Sequence, residues 1–534
     1  MVSLSVAFVH SVYSSSAVHL CISLVPCSLV LSPPLHHLTV LQTLQSRAVN
    51  VEAFFGMAVA KVVDGHYRAV DGFRAVVHLS LVALHCAMLA SAHLPSEGPV
   101  WQAVRKHPLY SVAQAGGVQV DLMFMLSAFL LVHKLLVEFD KGKAGQPLFA
   151  FTIRRALRFI PPMLAVSVLG YLLHDTWDGA VERGEVSPLV RVLSFVTFVA
   201  NYIPPAVVGC FTLSLCWSCC VDLHAGVILN LIGTAAKTGL GSSAQQQQQN
   251  SPYLAYRLRW IFLALTAASV AVRAWLFEVN SLNLFRLGQY SHFGLLMTDS
   301  SYGWIQEHFG HTWKTKNTQV ELAQGYMTKM YNPTHTRIGP FFVGAVVACN
   351  VFLAARVPPK QRTLLGAAAS WVFTLLALVQ LIVPCLPPDD DVPVIGQHIA
   401  TAALRTLSSA AAGFLLYRCL VPKEHGWHWG ALNSVLSWRA FAPIATLSYC
   451  SYLVHFRVIM ELNFRPNVHS RILSILPLRA TPSSQAELYI EYIPKLFVLA
   501  TVGSLLVSAV LYWAVEKPAA ALLAGIGGRR KKVD

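Results

Sequence analysis

Residues 72–93 read GFRAVVHLSLVALHCAMLASAH, an apolar stretch with one arginine near its start and histidines further along. A helix of about twenty such residues is long enough to cross the hydrocarbon core of a bilayer. Ionisable side chains inside a membrane helix are costly, so their presence indicates a functional site. The stretch therefore predicts a membrane-spanning helix that carries chemistry on one of its faces.

The rest of the chain repeats this apolar pattern. Of its 534 residues, 55% are hydrophobic and only 12% are charged, and the mean hydropathy is +0.53. The fold class predicted from these features is all-α, a polytopic membrane protein with about ten transmembrane helices embedded in the lipid bilayer. The predicted spans are 72–93, 117–137, 158–174, 213–234, 259–278, 337–355, 364–386, 398–420, 441–462 and 493–515.

The formal charge of +15 is interpreted as a signal of orientation. A nucleic-acid-binding protein gathers its basic residues on a polar surface, whereas here they lie between apolar runs, so no nucleic-acid partner is expected. Cytoplasmic loops retain Lys and Arg, and the basic groups at 141–158, 356–362, 418–439 and 529–532 then share one side. This places both termini in the cytoplasm. The C-terminal KKVD resembles a dilysine retrieval signal, so we expect the endoplasmic reticulum or the plasma membrane.

The chain divides into three predicted regions by composition. Residues 1–64 form a poorly defined N-terminal extension, 65–520 a transmembrane domain, and 521–534 a basic cytoplasmic tail. Inside the domain, the Gln-rich segment 241–251 is expected to be a flexible cytoplasmic linker, and 279–336 a polar outer loop. Residues 193–209 are apolar but interrupted by Asn201 and two prolines, which indicates a re-entrant or surface segment.

Arg74, His78 and His85 share one face of the first predicted helix. Arg74 and His85 are eleven positions apart, which returns a helix to within about 20° of its starting direction and about 16 Å further along its axis. A neutral imidazole can remove a proton from a hydroxyl, as acyl transfer to an alcohol requires. The structural alternative is an interfacial anchor for Arg74 and hydrogen bonds to neighbouring helices for the histidines.

Two acidic residues also fall within predicted spans. Asp121 is expected either to be a polar helix start or to orient His85. Asp222 and His224 share the fourth span, where catalysis and a structural hydrogen bond both remain open. His455 is expected to be a packing histidine that bonds to a neighbouring helix. The cysteines show no CxxC pair, so no metal site is expected.

Six segments form an ordered set of motifs. They are the Arg74 to His85 pair with its Asp71-Gly72-Phe73 lead-in, 117–130, 217–222, 331–344, 447–455 and 515–518. Together they resemble the acyltransferase-3 family of integral membrane acyltransferases, particularly the branch of nose-resistant-to-fluoxetine-like proteins. The sequence departs from the family pattern at Gln119, Ala128, Cys219, Cys220 and His224.

The resemblance implies transfer of an acyl group, often acetyl, from cytoplasmic acyl-CoA to a hydroxyl of a lipid, glycan or small molecule across the membrane. Acyl-CoA is then a co-substrate, and no bound cofactor is expected. His85 would be the general base or an acyl relay, Arg74 would contact CoA phosphates, and Asp121 would complete the catalytic set. The resemblance assigns substrate binding to His78, Ser127, Trp217, Asp222 and Arg337, with Arg337 holding an anionic acceptor or the developing oxyanion.

Two other functions remain open from the sequence. A proton-coupled transporter or lipid-moving protein could use the same histidines and aspartates as a proton relay. The two halves of the chain show no internal repeat, which favours the enzyme. The altered motifs around Ala128 and Cys219 also leave open a catalytically inactive family member.

Overall fold

A computed structural model describes residues 67–90, 99–114, 118–143, 147–172, 188–203, 214–237, 244–279, 327–356, 364–382, 394–422, 424, 427–464, 468, 471–472 and 485–528. These residues form helices, and no strand occurs among them. The predicted N-terminal extension 1–64 lies outside the described residues. So do most of the predicted outer loop and the last six residues of the predicted tail.

Sixteen α-helices follow one another along the described residues. They are α1 (Arg68–Ala90), α2 (Pro99–Lys106), α3 (Pro108–Gln114), α4 (Gln119–Asp140), α5 (Leu148–Leu172), α6 (Pro188–Val196), α7 (Trp217–Lys237), α8 (Ala244–Val279), α9 (Thr334–Arg337), α10 (Gly339–Ala354), α11 (Leu364–Ile382), α12 (Val394–Leu420), α13 (Gly430–Leu436), α14 (Phe441–Phe464), α15 (Gln485–Leu511) and α16 (Lys517–Gly528). Short 3-10 turns lie at Ala200–Tyr202 and Ser214–Cys216, and π-helical turns at Met327–Tyr331 and Tyr512–Glu516.

Each predicted span overlaps one of the long helices. Within the described residues, five helical segments are long and apolar enough to cross a membrane. They are Arg68–Ala90, Gln119–Asp140, Trp217–Lys237, Asn250–Val279 and Tyr489–Leu523. Two shorter apolar helical segments, Gly339–Ala354 and Ala368–Ile382, also coincide with predicted spans. The helical class is confirmed, whereas the count of about ten spans remains a prediction.

The Gln-rich segment differs from its prediction as a flexible linker. Helix α8 begins at Ala244 and runs through Pro252 to Val279, so residues 244–251 are helical. At the end of this segment Ser251 is buried and donates a hydrogen bond to Asp140 at the end of α4. Glutamine is a good helix former, and a helix already anchored by packing can extend into such a run.

Helix α5 also differs from its prediction. It begins at Leu148, well before the predicted start at 158, and it continues through Pro161 and Pro162 without ending. As a result, the basic residues that precede the two prolines are part of a helix rather than a loop. Helix α6, with nine residues, is too short to cross a bilayer by itself.

The buried core lies where α4 packs against α10. Phe124, Phe129, Phe341 and Phe352 belong to one buried cluster, to which α7, α8 and α12 also contribute. At Gly344 a Cβ atom would lie 2.0 Å from the carbonyl oxygen of Met125, so the two backbones touch at this point. A second cluster joins α1 to α14 and α15, and a third joins α5 to α7 and α14. The space between these clusters holds the candidate site.

Candidate active site

A cavity of about 570 Å³ lies between α1, α4, α5, α7 and α14. On α4 its lining extends from Val120 to Glu138, eighteen positions or about 27 Å along the helix. Leu81, Met123, Phe124 and neighbouring residues give it a largely apolar wall. Such a long and mostly apolar cavity with a few polar groups is typical of a small-molecule or cofactor site.

One end of the cavity is basic. Five of its lining residues carry cationic side chains, and we call them the basic mouth: Arg74, Lys134, Arg154, Arg155 and Arg158. The side chain of Lys134 is 68% exposed, and Arg154 and Arg158 are also exposed, so this end opens to the surface. Several cations around one opening attract an anionic ligand and hold its charged groups.

Arg155 is held in place by two polar side chains inside the cavity. Its Nη2 donates to Asp222 Oδ2 at 2.6 Å and to Ser127 Oγ at 2.8 Å, and the Ser127 hydroxyl donates to Asp222 Oδ1 at 2.5 Å. A Cβ atom at Gly226 would lie 2.8 Å from Arg155 Nε, so this glycine on α7 makes room for the guanidinium. Three helices therefore fix one cation in the interior of the site.

Hydroxyl groups form the part of the cavity wall next to a buried histidine of α14. Tyr452 lines the cavity, and its hydroxyl lies 2.7 Å from Ser218 Oγ and donates to the carbonyl of Leu215 at 2.9 Å. On the chain, His455 is one helical turn from Tyr452. Tyr452 of the cavity wall and His455 are thus parts of the same stretch of α14.

Three histidines form what we call the imidazole group: His78 and His85 of α1 with His455 of α14. His85 Nδ1 lies 2.7 Å from His455 Nε2, and His78 Nε2 lies 2.8 Å from Ser451 Oγ. His455 Nδ1 in turn faces the carbonyl oxygens of Ser451 at 3.1 Å and Tyr452 at 2.8 Å. His85 keeps 8% of its surface exposed, against 1% for His78 and 0% for His455. Among these three, His85 is therefore the least buried imidazole.

A second charged cluster lies at the start of α4. Arg337 and Arg405 both donate to Asp121, at 2.8 and 2.7 Å, and we call these residues the arginine–aspartate cluster. The guanidinium of Arg337 also lies over the rings of Tyr331 and Trp217, 3.9 and 5.0 Å from their centroids. Trp217 packs edge-on against Phe124, which lines the cavity. An aromatic contact thus separates the cavity from the cluster.

The structure divides the predicted site residues among these three places. Arg74, Ser127 and Asp222 line the cavity, His78 and His85 belong to the imidazole group, and Asp121, Trp217 and Arg337 meet at the arginine–aspartate cluster. The expected contact of Asp121 with His85 is wrong, because Asp121 binds two guanidiniums and His85 binds His455. A buried carboxylate is stabilised far more by a cation than by a neutral imidazole.

Asp222 and His224 each form a bond to a different neighbouring helix. Two positions along a helix correspond to about 200°, so the two side chains point to opposite faces of α7. Asp222 binds Arg155, whereas His224 Nδ1 lies 2.9 Å from Thr334 Oγ1. The expected hydrogen bond of His455 to a neighbouring helix is confirmed, and the neighbour is His85.

Sequence reasoning missed three residues that complete these groups: Arg155, Arg405 and Lys134. The basic residues between the second and third predicted spans were interpreted as a topology signal, although their spacing places Arg155 and Arg158 within one turn of a helix. Arg405 is one of few charges in its span, which was the available signal. Among the described residues, no group of His, Cys, Asp and Glu has the geometry of a metal site.

Comparison with protein families matches the same part of the chain. A family model described as an acyltransferase domain covers residues 67–513, which include the basic mouth, the imidazole group and the arginine–aspartate cluster. No curated protein matches the chain. The family match extends over most of the sequence and its helices. The chain therefore belongs to the acyltransferase-3 family and is a membrane acyltransferase.

Proposed function

We propose that this acyltransferase moves an acyl group, acetyl in the simplest case, from cytoplasmic acyl-CoA to a hydroxyl of a lipid, glycan or small-molecule acceptor. The observation that carries the proposal is the long cavity with a basic mouth at one end and the imidazole group behind its wall. This arrangement supports a donor with several phosphates and a reactive thioester. The nose-resistant-to-fluoxetine-like branch is our proposed position for the chain within its family.

The basic mouth fits the nucleotide end of CoA. Arg74, Arg154 and Arg158 offer guanidinium groups, which bind phosphate oxygens in bidentate geometry. Asn230, which also lines the cavity, presents an amide group that suits an amide of the pantetheine arm. The apolar wall suits the methylene groups of that arm and the acyl group.

His85 is our proposed general base. The acceptor hydroxyl loses its proton to the imidazole as its oxygen attacks the thioester carbonyl, and the thiolate of CoA receives a proton as the carbon–sulfur bond breaks. Catalysis of this kind contributes about 10²- to 10⁴-fold to a rate. An acyl group carried transiently by His85 is the other form of this proposal. His78 is a supporting residue of the same site.

Arg337 and Trp217 are proposed to act on the acceptor side. Arg337 is joined to Asp121 and lies against Trp217, so Asp121 fixes the position of the guanidinium. From this position Arg337 would attract an anionic acceptor toward the aromatic contact at Phe124. We further propose that both termini lie in the cytoplasm and that the protein resides in the endoplasmic reticulum or the plasma membrane.

The test uses radiolabelled acetyl-CoA and the full-length protein in membranes. We expect wild-type protein to release free CoA thiol and to transfer label to a membrane lipid, glycan or small molecule detected by mass profiling. His85→Gln should lower both signals about 100-fold at equal protein level. His224→Gln is the matched control, since His224 lies on α7 and binds Thr334. Undiminished transfer by His85→Gln would remove His85 from the mechanism.

A further inference from the structure

We propose that His455 is a positioning residue that fixes the tautomer of His85, so that the Nε2 atom of His85 is the one free to accept a proton. The inference rests on the proposed function, because it concerns the base of that reaction. It is carried by the hydrogen bonds of the imidazole group. Each bond in the series determines the protonation of the next nitrogen.

The first step concerns His455 itself. Its Nδ1 lies 2.8 Å from the carbonyl oxygen of Tyr452 and 3.1 Å from that of Ser451. A carbonyl oxygen only accepts hydrogen bonds, so Nδ1 of His455 carries a hydrogen. His455 is fully buried, and in the described chain no ion pair joins it to a carboxylate. Burial without such a partner disfavours the charged imidazolium, so Nε2 of His455 keeps a lone pair.

The second step transfers this constraint to His85. The Nδ1 atom of His85 lies 2.7 Å from Nε2 of His455, while the ring centroids are 4.9 Å apart and the planes differ by 25°. With these values the two nitrogens point at each other, and the rings do not lie face to face. Because His455 Nε2 accepts, His85 Nδ1 must carry the hydrogen. Neutral His85 then has its lone pair on Nε2.

The third step relates the tautomer to the reaction. The acceptor oxygen attacks the acyl carbon, its proton goes to His85 Nε2, and a carbon–oxygen bond replaces the carbon–sulfur bond to CoA. While His85 holds two protons, its Nδ1–H still donates to His455, which stabilises the imidazolium. The proton on Nε2 then passes to the CoA thiolate. His85 returns to its starting tautomer, and atoms and charge balance.

The α14 backbone and His78 hold His455 in this orientation. The hydroxyl of Ser451 lies 2.8 Å from His78 Nε2, and the carbonyl of the same residue faces His455 Nδ1. A second contact between α1 and α14 therefore lies one turn of α14 from the His85–His455 contact. An imidazole fixed at both nitrogens can orient its neighbour, as a carboxylate does in hydrolytic triads.

The experiment compares two substitutions of similar size. His455→Leu removes the acceptor, whereas His455→Gln can place an oxygen near the position of Nε2. We expect His455→Leu to lower kcat about 100-fold with KM for acyl-CoA within twofold of wild type, and His455→Gln to stay within about fivefold. A merely structural role would lower kcat equally in both variants, and that result would overturn the proposal.

The second readout is independent of turnover. Nitrogen-15 NMR of histidine-labelled protein in nanodiscs distinguishes the two tautomers, and the His85 signals are assigned by their loss in His85→Gln. We expect the Nδ1–H tautomer for His85 in wild type. The Nε2–H tautomer would overturn the proposal, whatever the activity. If wild-type protein transfers no label but shows the Nδ1–H tautomer, the proposed function fails while the assignment of the imidazole group is retained.

Discussion

The Arg337 guanidinium donates to both carboxylate oxygens of Asp121 at 2.8 Å, and both side chains are completely buried. The two residues are 216 positions apart in the sequence. Arg405 donates to the same carboxylate, so Asp121 joins α4 to α9 and α12. This charged contact fastens helices that meet beside the cavity.

Asp121→Asn should therefore destabilise the protein. The substitution leaves the buried guanidinium of Arg337 and the partly buried one of Arg405 beside a neutral amide. Loss of one partner from a buried ion pair costs about 3–5 kcal/mol. Thermal unfolding of the detergent-solubilised protein, followed by tryptophan fluorescence, measures the effect.

Glu138→Gln is the control for the Asp121 variant. Glu138 pairs with exposed Lys134 at 3.9 Å, and such surface pairs contribute only about 0–1 kcal/mol. Equal melting temperatures for Asp121→Asn and wild type would mean that the buried pair does not stabilise the fold.

Gly226→Ala should weaken acyl-CoA binding without changing any charge. The new methyl group would lie 2.8 Å from Arg155 Nε, and the flexible side chain of Arg155 would move away from Asp222 and Ser127. Arg155 belongs to the basic mouth that we propose binds the CoA phosphates, and loss of one charged hydrogen bond there costs about 1.5–3 kcal/mol. This corresponds to about a tenfold or larger rise in KM. Initial rates over a range of acetyl-CoA concentrations measure it.

Gly503→Ala controls for the general effect of alanine in a long helix. Its Cβ atom would meet only Val458 Cγ1, at 3.1 Å, and neither residue lines the cavity. We expect an unchanged KM for this variant. The assignment of Arg155 to the donor site is wrong if both glycine variants bind acyl-CoA like wild type.

The exposed part of the basic mouth should make donor binding depend on salt. Arg154 and Arg158 line the cavity and are exposed, so their attraction for phosphates is screened as ionic strength rises. The KM of the wild type for acyl-CoA should increase between about 0.05 and 0.5 M salt. The double variant Arg154→Gln/Arg158→Gln should have a higher KM already at low salt, and its KM should change less as salt is added. Arg257→Gln, an exposed arginine of α8, should behave like wild type. Parallel salt curves for all three proteins would contradict a phosphate-binding mouth.

The helices could be predicted from the sequence because an apolar run of bilayer length has few alternatives to a helix. The residues at which each helix starts and ends were harder to predict. The third span was predicted to start at 158, just before Pro161 and Pro162, yet α5 begins at Leu148 and continues through both prolines. The Gln-rich run extends α8. Packing against neighbouring helices outweighs these local signals, and one sequence without its fold does not contain that packing.

The candidate site could be predicted from the sequence only in part, for a related reason. Regular spacing along one helix placed Arg74, His78 and His85 on a shared face. The two histidines of this face belong to the imidazole group, together with His455. Their partners come from distant segments: His455 is 370 positions from His85, and Arg337 is 216 from Asp121. Spacing along a helix does not reveal such contacts. Arg155 was missed because one charge can serve both as an orientation signal and as a binding group.

Gly344→Ala should destabilise the contact between α4 and α10 that supports the cavity wall. The added Cβ would lie 2.0 Å from the carbonyl oxygen of Met125, and a backbone atom cannot move aside as a side chain can. The two helices must separate, which disturbs the stacked rings of Phe124 and Phe341, whose centroids are 4.7 Å apart. Overpacking of this kind costs about 1–3 kcal/mol, measured as a lower melting temperature. Gly430→Ala meets only ordinary contacts at 3.6 Å and should melt like wild type, so equal melting of both variants would show that α4 and α10 are not in backbone contact.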